Sequence, residues 1–262
     1  MFGVQKTTLL NIFFIGSGKL AHNLAMAFLQ TGDIHIAGVY SRTPAHAKAF
    51  AVKFKTIVFN EIKDIPANCD VYFLAVSDTA IQSISDQLLV TGIVVHCSGL
   101  MPLSALSAQL HKGVFWPVQT FSGAYELEFK NIPVCIEGNE EEDLKIIEAV
   151  AHRISKNVLR VKEKERQQLH LAAVVVNNFT NHLFVVAAKW LQENNLNFDL
   201  LKPLITETAN KILKVPPYLA QTGPASRKDL VTIAKQEELL TSNPSLLKIY
   251  RLISSGIMDN IE

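Results

Sequence analysis

The feature that most constrains this chain is an apolar strand that runs through a glycine turn directly into a helix. Leu10–Ile15 is a continuous apolar run, followed by Gly16-Ser17-Gly18-Lys19-Leu20-Ala21 and a helical pattern over Lys19–Gln30. In a Gly-x-Gly-x-x-Ala turn the first glycine permits the tight bend and the second lets a diphosphate approach the backbone. The alanine lets helix and strand pack closely. The helix N-terminus then aims unpaired N–H groups at the phosphates. Gly16, Ser17, Gly18, Lys19 and Leu20 are therefore candidate dinucleotide-binding residues. A nucleoside-triphosphate loop is excluded, because it needs an opening glycine and a hydroxyl residue after the lysine. Phe13 or Phe14 and Leu20 stand there instead.

The pattern continues as alternation. Further apolar, β-branched runs cover Ile34–Tyr40, Thr56–Phe59, Val71–Val76, Ile93–Cys97, Gly113–Val118, Ile132–Ile136 and Asn157–Val161. Between them lie helical patterns at Pro44–Val52, Thr79–Leu89, Leu103–Leu110 and Glu140–Ile154, the first opened by Thr43 as a capping hydroxyl before Pro44. Continuous rather than alternating apolar strands fit a parallel sheet buried on both faces. The expectation is an α/β fold with a doubly wound, mostly parallel sheet over residues 1–161. From residue 162 onward only helical periodicity remains, over Glu163–Asn194, Leu200–Leu213, Asp229–Leu240 and Ser245–Ser254. Residues 162–262 are expected to form an all-helical second domain for substrate binding and dimerisation.

The end of the second strand decides which dinucleotide fits. A carboxylate there accepts from the ribose 2′-hydroxyl of NAD, whereas small hydroxyls with an arginine accommodate the 2′-phosphate of NADP. The chain reads Val39-Tyr40-Ser41-Arg42-Thr43. No carboxylate repels a phosphate, and Arg42 can hold one by charge-assisted hydrogen bonds. NADP is the expected cofactor; the bland alternative for Arg42 is a solvated loop residue. Ligands in such sheets lie across the carboxyl ends of the strands. That places Ala75, Val76 and Ser77 beside the ribose and diphosphate, and Ser98 and Gln119 near the nicotinamide. His96, inside an apolar run, reads as a core histidine, and Trp116 as a packing element.

Charge and cysteine usage exclude other classes. With 25 basic and 24 acidic side chains, the net charge of +1 supplies no long-range field for nucleic acid or an acidic membrane. The three cysteines, Cys69, Cys97 and Cys135, have no paired spacing and sit in apolar surroundings, so they read as buried thiols rather than a disulfide or zinc framework. No metal site is expected. The first ten residues carry no leader pattern. The most apolar long stretch, Leu169–Leu191, is interrupted by Asn177, Asn178, Thr180, Asn181, His182 and Lys189 and reads as a buried helix rather than a membrane span. A cytoplasmic protein is expected.

That helix is the second informative segment. At 100° per residue, His170, Asn177 and Asn181 share one arc, with Asn178, His182 and Lys189 forming a second group beside it. Three asparagines weaken a helix centre, so they need partners. They could be amide pairs between helices or a polar strip lining a substrate cleft. On the second reading His170, Asn178 and Asn181 are the catalytic candidates, and Asn177 with Gln119 contacts substrate. Arg227, in Gln221-Thr222-Gly223-Pro224-Ala225-Ser226-Arg227-Lys228-Asp229, could fix a substrate carboxylate; otherwise it belongs to an ordinary loop capped by Asp229.

These motifs resemble known families. Gly16–Ala21 with Ser41-Arg42-Thr43 is similar to the NADP-binding domain of deazaflavin-dependent NADP oxidoreductases and pyrroline-5-carboxylate reductases. Cys97-Ser98-Gly99, Trp116-Pro117-Val118-Gln119-Thr120-Phe121, Asn178-Phe179 and Thr222–Asp229 resemble a family of Rossmann-like NADP oxidoreductases whose helical C-terminal domain has no assigned function. The resemblance covers nearly the whole chain and implies a helical domain used for homodimerisation. Trp116, Lys228 and Gln236 stand where that family commonly has His, Gly and His, which argues against proton transfer by those histidines. The expected activity is hydride transfer between NADP(H) and a small substrate bound between the domains. The alternative is an NADP-binding sensor or scaffold without turnover.

Overall fold

A computed structural model describes residues 9–122 and 127–259; the opening residues read above as carrying no leader lie mostly outside that range. Eight strands form one sheet in the order β3-β2-β1-β4-β5-β6-β7-β8. They are β1 (Leu10–Ile15), β2 (Ile34–Tyr40), β3 (Val58–Phe59), β4 (Val71–Leu74), β5 (Ile93–His96), β6 (Lys112–Pro117), β7 (Val134–Gly138) and β8 (Val158–Arg160). All neighbours from β3 to β6 pair in parallel; β7 runs antiparallel to β6, and β8 returns parallel to β7. This is the expected doubly wound α/β architecture. Strand order reverses between β1 and β4, the place where such sheets take ligands.

The central strands are mostly apolar because both faces are covered; β4 and β5 are buried at every position. Within β1, Ile12 and Phe14 point into a core with Leu24, Phe28, Phe50, Phe73, Phe115 and Ile147, while Phe13 and Ile15 point into a second core with Tyr72, Leu74, Ile81 and Leu106. On the first side lie α1 (Lys19–Leu29), α2 (Pro44–Phe54) and α4 (Glu141–Ile154); α3 (Asp78–Ser85) packs on the second. Fully burying an aromatic or branched side chain contributes about 1.5–3 kcal/mol, so these two layers hold the sheet.

Two local expectations need correction. Leu103–Leu110 is not a helix: only Leu103–Leu106 forms a 3₁₀ turn. Gln109 instead turns inward and donates to the carbonyls of Ser85 and Leu88. Thr43 precedes α2 with an extended backbone and Pro44 opens the helix, but the Thr43 hydroxyl makes no capping bond. Asp229 does cap, its carboxylate accepting from the Thr232 N–H at 3.0 Å. All three cysteines are free and buried.

Beyond β8 the described chain is helical. The helix α5 (Glu163–Ala173) passes through a π-helical segment, Val174–Phe179, into α6 (Thr180–Glu193). Then follow α7 (Lys202–Ile212), α8 (Pro217–Ala220), α9 (Leu230–Leu239) and α10 (Pro244–Asp259). By compactness the chain forms two units, Met1–Asn177 and Asn178–Glu262. In the first, β8 and the opening of α5 are part of the sheet assembly. In the second, only Ala225, Ile233, Leu240 and Ser254 are buried among the described residues.

The expectation of a buried central helix is overturned. Glu163–Glu193 is long and apolar enough by composition to cross a membrane, with a mean hydropathy of 1.5 over its most apolar 18 residues, none of them buried within the chain. Val176, Phe179 and Val185 are exposed. Apolar composition alone says that a surface seeks a cover, not that its own chain provides one.

Candidate functional site

The first cluster of expected residues forms around the end of β1. Gly16 bends the chain with φ +103°, a conformation that L side chains rarely adopt, and any Cβ there would overlap the Ala75 carbonyl. Its N–H donates to the Tyr40 carbonyl at 2.8 Å, and the Ala75 N–H donates to the Ile15 carbonyl at 2.8 Å. These bonds gather the ends of β1, β2 and β4 into one crevice. Gly16, Ser17, Gly18, Ser41, Ala75 and Val76 thus lie along neighbouring strand ends.

The α1 N-terminus is exposed at Gly18 and Lys19, and no side chain caps it. Gly18 takes the cap position with no side-chain cap, and the first turn contains no acidic residue. A methyl group added at Gly18 would meet no protein atom within 4 Å. An uncapped helix end carries roughly half a positive charge and suits a phosphate. In contrast, Asp78 stands in the first turn of α3 and offsets that helix's positive end. Arg42 is exposed and makes no ion pair among the described residues, so its guanidinium is free for an anion beside Ser41. Lys19 is exposed, and Leu20 is half-buried against the core. Ser77 is exposed at the N-cap of α3, its hydroxyl 3.3 Å from that of Thr79. These groups fit a dinucleotide carrying a 2′-phosphate.

A second cluster forms at the end of β5. Ser98 is buried, and its Oγ accepts from the backbone N–H groups of Leu100 and Met101 at 3.1 and 3.0 Å. The Ser98 N–H donates to His96 Nδ1 at 3.2 Å. Arg166, on α5, is fully buried and donates from Nη1 to the carbonyls of Ser98 (3.1 Å) and Met101 (2.8 Å), and from Nη2 to Glu137 Oε2 at 3.3 Å. The next residue, Gln167, donates to the Leu100 carbonyl at 3.1 Å. His170, one turn along, meets Trp116 edge-to-face with ring centroids 5.6 Å apart. Both rings lie over Gly99, where a Cβ would come within 2.7 Å of His170 Nδ1 and 2.8 Å of Trp116 Cε2.

Electrostatics narrows the chemistry available here. Burial first, and then the Arg166 charge, push His96 down to about 4, so it is neutral at physiological pH and works as a hydrogen-bond acceptor. Burial pushes the Cys97 thiol up to about 12 and Cys135 up to about 11, which removes both as nucleophiles. No cluster of metal-binding side chains occurs among the described residues.

The remaining candidates do not join these clusters in one described site. Gln119 is exposed, and its Oε1 accepts from the neighbouring Thr120 N–H. Asn177, Asn178 and Asn181 are exposed on the helix, the first two inside the π segment. That segment also undoes the arc drawn at 100° per residue, because i→i+5 bonding advances each residue by less than an α-helical step. Arg227 is exposed at the end of a 3₁₀ turn, Ala225–Arg227. Arg166 was not foreseen: Lys162–Gln168 is charged or polar at every position and reads as a solvated face. The one available signal was its four-residue spacing from His170, which puts both on one helix face.

Comparison with known proteins adds a family. Residues 11–98 match the family model described as NADP oxidoreductase, coenzyme F420-dependent, and residues 132–257 match a domain of unknown function, DUF2520. A Bacteroides fragilis protein provisionally named an NADP oxidoreductase is 35% identical, with a TM-score of 0.90 over 97% of this chain and 100% of its own. A Thermotoga maritima protein is 21% identical, with a TM-score of 0.74 over 95% of this chain and 97% of its own. A Plasmodium falciparum pyrroline carboxylate reductase with NADP bound shares the fold at 12% identity, TM-score 0.60, over 96% of this chain and 99% of its own. No curated protein matches the chain. The chain belongs to the family of NADP oxidoreductases in which an F420-dependent-type dinucleotide domain is joined to a helical domain of unassigned function.

Proposed function

We propose that this protein is an oxidoreductase that takes NADP(H) as its own cofactor and moves a hydride to or from a small molecule. The observation that carries this reading is the crevice at the ends of β1, β2 and β4. An uncapped helix N-terminus lies on one side and the free Arg42 beside Ser41 on the other. Gly16 would shape the turn and Ser17–Leu20 hold the diphosphate by backbone donors, with Ser41 and Arg42 on the 2′-phosphate and Ala75–Ser77 on the adjoining ribose. When bound, the cofactor supplies the hydride. The chain has to orient the ring, keep water away and provide a proton path. Ser98 belongs to the turn beside the nicotinamide, and Gln119, His170, Asn177, Asn178, Asn181 and Arg227 are the candidates for substrate contact and proton transfer.

The deazaflavin-type match stops at residue 98 and covers only the dinucleotide-binding part. It supports NADP and does not extend to a deazaflavin co-substrate. We also propose a homodimer formed through the helical unit, supported by how few of its residues are buried in the single chain. Free buried thiols fit a cytoplasmic setting.

The test is NADPH oxidation by purified protein against imines, ketones, oxidised deazaflavin and, in reverse with NADP, 2-hydroxyacids. Turnover of one class with saturable dependence on NADPH is expected. Saturable binding with no turnover on any member would replace the enzyme reading with that of an NADP-binding sensor.

A further inference from the structure

We propose that Arg166 is a positioning residue for the nicotinamide half of the cofactor, acting through the Ser98–Met101 turn; this rests on the NADP reading above. The turn is attached to α5 more than to the sheet. Arg166 ties the carbonyls of Ser98 and Met101 together through one nitrogen, and Gln167 holds the carbonyl of Leu100. Inside the turn, Ser98 Oγ closes on the N–H groups of Leu100 and Met101, and His96 accepts from Ser98 itself. Gly99 fits under Trp116 and His170 only because it has no side chain.

A purely structural explanation of Arg166 is weak. The side chain has no exposure, its nearest carboxylate oxygen is 3.3 Å away on Glu137, and its Nε has no hydrogen-bond partner. A buried charge so incompletely paired stabilises a fold less than an apolar residue of the same volume would. What the guanidinium does supply is geometry: Nη1 donates to both carbonyls of the turn while Nη2 donates to Glu137, so one planar group fixes the turn relative to β7.

The position of the turn determines which half of a dinucleotide it affects. Doubly wound sheets consist of two mononucleotide-binding halves. Here β1, β2 and α1 carry the diphosphate and 2′-phosphate groups, whereas the turn follows β5, beyond β4 in the sheet order. Arg166 therefore influences the reactive half and leaves the adenosine half alone.

Titration calorimetry of Arg166→Met with two ligands tests this: NADPH, and 2′-phospho-ADP-ribose, which keeps the adenosine, diphosphate and 2′-phosphate but lacks the nicotinamide. NADPH binding is expected to weaken about tenfold, the loss of about one well-made hydrogen-bonding contact, with 2′-phospho-ADP-ribose affinity unchanged. Equal loss for both ligands, or no loss for either, would overturn the proposal. If Arg166→Met does not fold, Gln167→Ala removes the neighbouring tie to the same turn. A smaller loss confined to NADPH is then expected, and a loss shared by both ligands, or none, contradicts the proposal. Wild-type protein that binds neither ligand would instead overturn the underlying NADP reading, and this inference with it.

Discussion

Arg42 is an exposed cation beside Ser41, and His96 is a buried imidazole that its surroundings keep neutral. The reading of Arg42 depends on sequence position alone: it follows the second strand, where a carboxylate would signal NAD. His96 was legible only as a buried residue. Its neutral state depends on burial and on Arg166, seventy residues away in the chain, and no local pattern encodes that pair. A pH dependence follows. In the unfolded chain an imidazole titrates near 6.5, and in the fold His96 titrates at about 4. Between those values the unfolded state binds the extra proton, so native stability is intact above pH 6.5 and falls as pH drops toward 4. The loss due to this residue is about 3 kcal/mol when complete. Urea denaturation at pH 7 and at pH 4.5 should show a smaller acid-side loss for His96→Asn than for wild type; identical losses would remove His96 as the cause.

At the scale of elements, the strands and long helices were readable from the sequence, and the interruptions were not. Continuous apolar runs identified β1 through β8, because a strand covered on both faces carries apolar residues at most positions. Leu103–Leu110 carried an apolar pattern that could have been helical, but Gln109 finds its partners on the carbonyls of Ser85 and Leu88 and draws the chain off the helical path. The π segment was invisible, since Val174–Phe179 has no residue that breaks an α-helix and its extra residue per turn is a tertiary outcome. Such segments often occur at functional sites, and this one carries Asn177 and Asn178. Deleting Val176 should restore α-helical bonding and re-aim Asn177 and Asn178 within the former π segment, while side chains beyond it keep close to their present directions. Turnover should be abolished while NADPH affinity stays within about twofold; retained turnover would show that the π geometry is irrelevant to catalysis.

At the scale of the molecule, the switch from strand-bearing to purely helical patterns suggests a division at residue 162, whereas the compact units divide after Asn177. How the helical part buries its apolar surface was not legible, because a helical wheel shows which side chains are apolar and not which molecule covers them. Leu200, Leu204, Leu213, Tyr218 and Leu219 are exposed, as are Phe179 and Leu183 on the long helix. A unit of this size with four buried residues among those described has too little core to stand alone, and a symmetric partner would offer the same apolar faces in return. Sedimentation velocity should therefore report a dimer. Phe179→Arg combined with Leu183→Arg, one helical turn apart, should shift it to monomer or to aggregate. A wild-type monomer at micromolar concentration would contradict the assembly.

On the proposed reading, the turn after β1 grips a diphosphate while Arg42 selects the 2′-phosphate. Titration calorimetry of NADPH and NADH into wild-type protein and into Arg42→Glu tests it most directly. One NADPH site per chain is expected in the wild type, with NADH binding more weakly. Arg42→Glu should lose about 2–3 kcal/mol of NADPH affinity and leave NADH nearly unchanged. Folded wild-type protein that gives no binding heat with either nucleotide, or a variant that loses both nucleotides equally, would contradict the claim.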